Sequence, residues 1–287
     1  YAQEAITASK MGHIEEAEEL IDTGFEKSEE LDKELGNAKL FFAMGIINAN
    51  SVKIKKAAKN FENALKIQVK YEDQLSESKT LTNLSHCYIN LGEPDKAISM
   101  LNKSIHLMLK LEKDNWLSFP LATLGTAYRN KFQYRKAVEN YQKAIGKFSK
   151  DQNDYQKGRI LLLLTRCLCD MGLADKAEDY LKKGHEICQR FNEPLIMGRI
   201  NNFQANIHLL RKDYDKAIYC LEESLEIFRD GELRKPSAEI MLEMMCAHIT
   251  FDLPEKLEPT KIRYERIIKK LASSKKPAAL MDCILYY

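Results

Sequence analysis

The chain has 287 residues, 45% of them hydrophobic and 30% charged, with only 12 glycines and 7 prolines; this palette favours helices and leaves ample apolar material to bury. Opposite charges almost cancel at +2, which gives no support for a nucleic-acid partner or a membrane surface. The longest apolar run is read as Ile160 to Leu164, far too short to span a bilayer, the opening stretch Tyr1 to Ile14 is amphipathic and acidic, and the seven cysteines form no disulfide or metal framework, so the expectation is a cytoplasmic protein with reduced thiols, no secretion signal and no membrane insertion.

In chain order, Tyr1 falls inside a helix already under way. Helical periodicity then predicts paired helices, A followed by B, at 36–50 and 53–71, 75–91 and 94–112, 115–131 and 134–149, 155–171 and 174–190, and 195–211 and 214–229. A looser pair follows near 237–250 and 254–271, and a further helix starts within 275–287. The A–B turns include Leu91-Gly92-Glu93-Pro94 and Met171-Gly172-Leu173-Ala174. Glycine suits the end of a helix and proline the first turn of the next.

The pairs repeat. Ala17, Ala57, Ala97, Ala137, Ala177 and Ala217 stand forty residues apart. Four residues after each comes a large side chain: Ile21, Phe61, Leu101, Tyr141, Leu181 and Leu221. Twelve residues before each comes a small one: Ala5, Gly45, Ser85, Gly125, Thr165 and Ala205. Small sites let a second helix approach and large ones fill the groove beside it, so each unit is predicted to be a hairpin in a stack.

The strings "LSHCYINLGEPDKAISMLNKSI", "LGTAYRNKFQYRKAVENYQKAI" and "QANIHLLRKDYDKAIYCLEESL" resemble the tetratricopeptide repeat family. The forty-residue unit is similar to its long-helix subgroup, which includes kinesin light chains, Pins-like adaptors and bacterial peptide receptors and regulators. The resemblance implies an all-α, right-handed superhelical solenoid of antiparallel helix hairpins. A single array over 1–287 is expected, with about six clear repeats in 1–230, a degenerate one at 236–271 and the start of another at 275–287. Both ends lack a polar capping helix, so a fragment of a longer protein is expected, and the uncapped ends are surfaces on which a second copy could stack as a homodimer.

In this family the A helices line a concave groove, which places several side chains in it by register. Lys39, Lys79, Arg159 and Arg199 share one position, with Arg166 and His86 nearby. Cations facing one groove would attract an acidic peptide or a C-terminal carboxylate; the alternative is ordinary solvated helix starts. Asn50, Asn90 and Asn130 recur at forty, with Asn83, Arg129, Asn202 and Asn206 alongside. Amides at that spacing can hold a peptide backbone whatever its sequence, or the asparagines can simply cap helix A in a left-handed conformation. Phe42, Ile46, Leu162 and Phe203 are either apolar pockets in the groove or core.

No catalytic or metal-binding string stands out. The six histidines lie far apart, and no glycine-rich phosphate loop or nucleophile elbow occurs. The expected function is therefore a non-catalytic protein-protein interaction module without cofactor, binding a peptide or partner helix in its groove. The alternative is the peptide-sensing part of a bacterial signalling protein, such as a transcription regulator, cyclase or kinase, whose output domain is missing.

Overall fold

The computed structural model describes residues 1–11, 13–30, 34–51, 53–148, 154–230 and 234–272. The described residues form fourteen α-helices in two compact units, Tyr1–Ser149 and Lys150–Tyr287. The first unit holds α1 (Ala2–Lys10), α2 (Ile14–Glu30), α3 (Glu34–Asn50), α4 (Ile54–Lys70), α5 (Gln74–Asn90), α6 (Pro94–Lys110), α7 (Ser118–Asn130) and α8 (Tyr134–Gly146). The second holds α9 (Asp154–Asp170), α10 (Ala174–Cys188), α11 (Pro194–Leu210), α12 (Tyr214–Asp230), α13 (Arg234–Thr250) and α14 (Pro254–Ala272). Odd-numbered helices are the A helices of the hairpins and even-numbered ones the B helices. The helix expected within 275–287 lies outside the described residues.

The predicted pairs are present, with three local differences. The helix expected from residue 115 begins with a 3-10 turn at Asp114–Trp116 before α7 starts at Ser118, and the last turn of the pair after α9 is also 3-10, at Gln189–Phe191. Helix α8 stops at Gly146, three residues short of expectation, where glycine weakens helix propensity.

The forty-residue register works as a large-into-small lock within each hairpin. All six repeat alanines are fully buried. A Cβ on Gly45 would lie 2.4 Å from the Phe61 ring, and one on Gly125 2.7 Å from Tyr141. Each B-helix aromatic therefore seats against a bare A-helix backbone, and burying such a ring is worth about 1.5–3 kcal/mol. Tyr141 stays satisfied because its hydroxyl lies 3.1 Å from Thr126 Oγ1. The small residues of the B helices also bind: Ser104 and Ser224 donate to the carbonyls of Ser78 and Gly198 at 2.7 and 2.8 Å.

Five A–B turns close by the same backbone chemistry. Gly92, Phe132, Gly172, Lys212 and Asp252 all have positive φ. In each case the next residue donates its N–H back to the carbonyl five residues earlier, as Glu93 does to Tyr88 at 2.8 Å, the pattern that satisfies the last carbonyls of a helix. Asn50, Asn90 and Asn130 are the last residues of α3, α5 and α7. The left-handed position falls two residues later, at Gly92 and Phe132, so Asn90 and Asn130 do not cap in a left-handed conformation.

Within each unit the A helices also touch one another: α1 packs on α3, α5 on α7, and α11 on both α9 and α13. The sequence-predicted site residues all lie on A helices, and the side of each helix that carries them is called its face below.

Candidate functional site

In the first unit this face is basic and open. Lys39 on α3 is exposed. On α5, Lys79, Asn83, His86 and Asn90 follow at helical spacing. The Lys79 ammonium sits 4.1 Å from the centre of the Trp116 ring, a cation–π contact that fixes its direction. Trp116 remains 43% exposed and Phe119, at the start of α7, 44%, so the chain's one tryptophan reaches the surface.

The amides of this face bind at home. Asn83 Nδ2 donates to the Lys79 carbonyl at 3.1 Å, and Asn90 Nδ2 donates to the His86 carbonyl at 2.8 Å and lies 3.3 Å from His86 Nδ1. Each amide keeps its oxygen, and Asn83 also a second N–H, beyond these bonds. Asn50 and Asn130 are exposed and Arg129 half-buried. Phe42 is half-buried with its ring 5.6 Å from that of Phe61, and Ile46 packs on the same core cluster.

In the second unit the face is polar and closed by a residue that sequence reasoning missed, Glu243 of α13. Asn202 Nδ2 donates to Glu243 Oε2 at 2.5 Å, and Asn206 Nδ2 lies 3.4 Å from the same oxygen. Asn206 Nδ2 also lies 3.1 Å from Asn202 Oδ1, so the two amides and the carboxylate form one network. Burial pushes the Glu243 carboxyl pKa up and Glu239 adds to this, while the Arg166 charge on α9 and the two amides pull it down. The signal available in sequence is register: Glu243 stands forty residues after Phe203, which is 5% exposed and core. A carboxylate at an apolar register has to find donors or a cation.

The remaining cations of this unit stay outside the network. Arg159 is exposed, with its guanidinium 5.8 Å from the Tyr155 ring and Nη1 3.5 Å from Gln156 Oε1. Arg199 is exposed. Leu162, like Phe203, is buried.

Among the described residues no group of three or more His, Cys, Asp or Glu is placed to hold a metal ion, and no helix is long and apolar enough to cross a membrane. His248 is 3% exposed and packs as a polar hub. Its Nδ1 lies 2.8 Å from the Tyr214 hydroxyl and its Nε2 3.1 Å from Thr260 Oγ1. Because Thr260 donates its own proton to the Lys256 carbonyl, Nε2 carries the ring proton and Nδ1 accepts from Tyr214.

The tetratricopeptide repeat family model matches residues 76–150 and 156–230, just over half of the chain. The chain belongs to the tetratricopeptide repeat family. Response regulator aspartate phosphatase H of Bacillus subtilis (strain 168) is 23% identical over 170 residues, covering 55% of this chain and 42% of that protein; the match thus spans less than half the relative's length. The apo form of RapI superposes with a TM-score of 0.76 at 16% identity, covering 93% of this chain and 97% of RapI. The Rap conjugation gene regulator of plasmid pLS20, solved in complex with the Phr* peptide, gives 0.70 at 15% identity, with 94% and 74% covered. At these identities the structural likeness speaks for the fold.

Proposed function

We propose that this tetratricopeptide repeat protein is a non-catalytic interaction module that holds a peptide or partner helix on its A-helix faces. The observation that carries the reading is the α5 face: Lys79, Asn83, His86 and Asn90 project in one row, with Lys39 at the same register on α3. No carboxylate of the described residues pairs with Lys39 or Lys79, whereas Lys53, Lys103 and Lys147 pair with Glu18, Glu77 and Asp114. A row of amides beside unneutralised cations suits an extended backbone carrying negative charge. The pLS20 regulator, whose fold this chain shares, is described with a bound peptide.

A second reading adds regulation. One relative is named as a response regulator aspartate phosphatase, and the solved neighbours include a conjugation gene regulator. On that reading the chain senses a peptide and passes a change of packing to a partner or output domain, because each hairpin leans only on its neighbours. Catalysis is not carried over from the relative's name, since the match reaches only 42% of its length.

The test is the affinity of an acidic blocked peptide, measured by fluorescence anisotropy at two salt concentrations. Lys39→Glu with Lys79→Glu, and separately Arg159→Glu with Arg199→Glu, should weaken binding and flatten its salt dependence. Unchanged affinity in both double variants would remove the basic face from the mechanism. X-ray scattering with and without the peptide tests the sensing reading, which requires the dimensions to change.

A further inference from the structure

The two asparagines that the second unit offers to a ligand are already engaged. Asn202 Nδ2 is 2.5 Å from Glu243 Oε2, and Asn206 Nδ2 lies within reach of both that oxygen and Asn202 Oδ1. Asn206 also reaches the Asn202 carbonyl at 3.1 Å. This differs from Asn83 and Asn90 of the first unit, whose amide nitrogens bond to groups of α5 itself. An amide bonded to its own helix changes partner at little cost. An amide bonded to a desolvated carboxylate on another helix does not, because charge-assisted hydrogen bonds are about twice as strong as neutral ones.

The groups around Glu243 both attract and repel its charge. Arg166 approaches from α9 as the nearby cation, Glu239 on α13 repels it, and Asn202 and Asn206 supply its hydrogen bonds from α11. Cys246, one turn further along α13, has its thiol pKa raised by burial and by the Glu243 charge. The carboxylate accepts from amides with the same geometry that a peptide carbonyl would use.

We propose that Glu243 is an internal competitor for the ligand of the second unit: its carboxylate occupies the amide donors that a bound backbone needs, so a segment binds there only by displacing it. This rests on the reading that the A-helix faces hold a peptide, and adds what regulates one of them. It assigns Glu243 a role beyond tying α11 to α13. A tether strengthens binding by ordering the face; a competitor weakens it. The two roles therefore predict opposite signs for the same substitution.

The experiment uses the full chain and a neutral probe, a blocked Ala-Ser-Ala-Ser-Ala peptide that offers backbone but no charge. The side-chain NH2 resonances of Asn202 and Asn206 are followed by NMR during titration of the wild type, Glu243→Gln and Glu243→Ala. Glu243→Gln keeps the shape and a weaker acceptor, so it reports even where Glu243→Ala fails to fold. The expected result is a saturable shift in the variants with an apparent Kd at least about tenfold below that of the wild type. Equal response in wild type and variants, or weaker binding in the variants, overturns the competitor and leaves Glu243 a tether while peptide capture stands. Silence of both asparagines in all three proteins, with their resonances displaced by the substitution itself, sinks backbone capture at this face and the competitor with it.

Discussion

The A-helix faces of the two units are built on one register and end with opposite chemistry. On α5, Asn83 bonds the carbonyl one turn behind it, and Lys79 rests on an exposed indole. On α13, eighty residues after Leu163 at the same register, Glu243 reaches back to Asn202 and Asn206 of α11. The repeat places a side chain; its length and charge decide whether it binds within its own helix or to the next hairpin. Asparagine is short enough to close onto its own backbone. Glutamate has two methylenes, and at a partly buried register it has to be satisfied by a neighbour.

The contrast concerns the faces and not the cores. Phe61→Ala in the first unit and Phe228→Ala in the second, both rings 1% exposed, should each cost about 3–5 kcal/mol in urea unfolding. A much smaller cost in one unit would mean that the cores differ as well. The next effect separates the faces. Asn202→Ala leaves a desolvated carboxylate short of a donor and should cost about 1–3 kcal/mol, whereas Asn83→Ala or Asn90→Ala should stay within about 0.5 kcal/mol. Equal costs would erase the distinction between an open and a closed face.

The pH dependence sharpens it. Burial raises the Glu243 pKa in the folded state, so its stabilising proton is fully bound below the ordinary carboxylate range and is lost as pH rises through the folded value. Burial and the Lys256 charge lower the His248 pKa, so the neutral hub loses stability as pH falls below the ordinary imidazole value toward the folded one. Melting curves from about pH 4 to about pH 8 should therefore flatten in Glu243→Gln on the rising-pH side, and in His248→Gln on the acid side. An unaltered profile in both would place the titration elsewhere.

The smallest effects belong to the first unit. Lys79→Ala should alter the emission of Trp116, the chain's one tryptophan, while changing stability by less than about 1 kcal/mol, as exposed charges usually do. A silent emission spectrum would mean that the cation does not dwell over the ring. Phe132 has φ 58° and is 77% exposed; Phe132→Gly should relieve left-handed strain of about 1–2 kcal/mol, less the extra chain entropy of glycine, and leave a net gain below about 1 kcal/mol.

Much of this was legible before any coordinates. Alanines at forty marked the helix-helix contacts, and Gly45 and Gly125 marked where Phe61 and Tyr141 would land, because close packing requires a small residue opposite a large one. What escaped was polar. Ser104 and Ser224 donate to the carbonyls of Ser78 and Gly198, and the spacing of apolar residues carries no sign of it. The asparagines closing α3, α5 and α7 read equally well as caps, and after α5 and α7 the left-handed residue is Gly92 and Phe132 instead. Phe42, Ile46, Leu162 and Phe203 read as pockets or core, and Leu162 and Phe203 are buried.

The sequence by itself determined the unit, its length and the lock inside each hairpin, since these depend on contacts within one helix face or between helices joined by a short turn. Only the tertiary structure decided what each A-helix face offers a ligand. The bond from Asn202 to Glu243 spans 41 residues and joins two separate hairpins, and no periodicity announces a pair whose members occupy different registers. Hydrophobic burial is summed over many contacts and leaves a repeating trace; a single charge and its donors are a local bargain between neighbours, visible only once the helices have been set side by side.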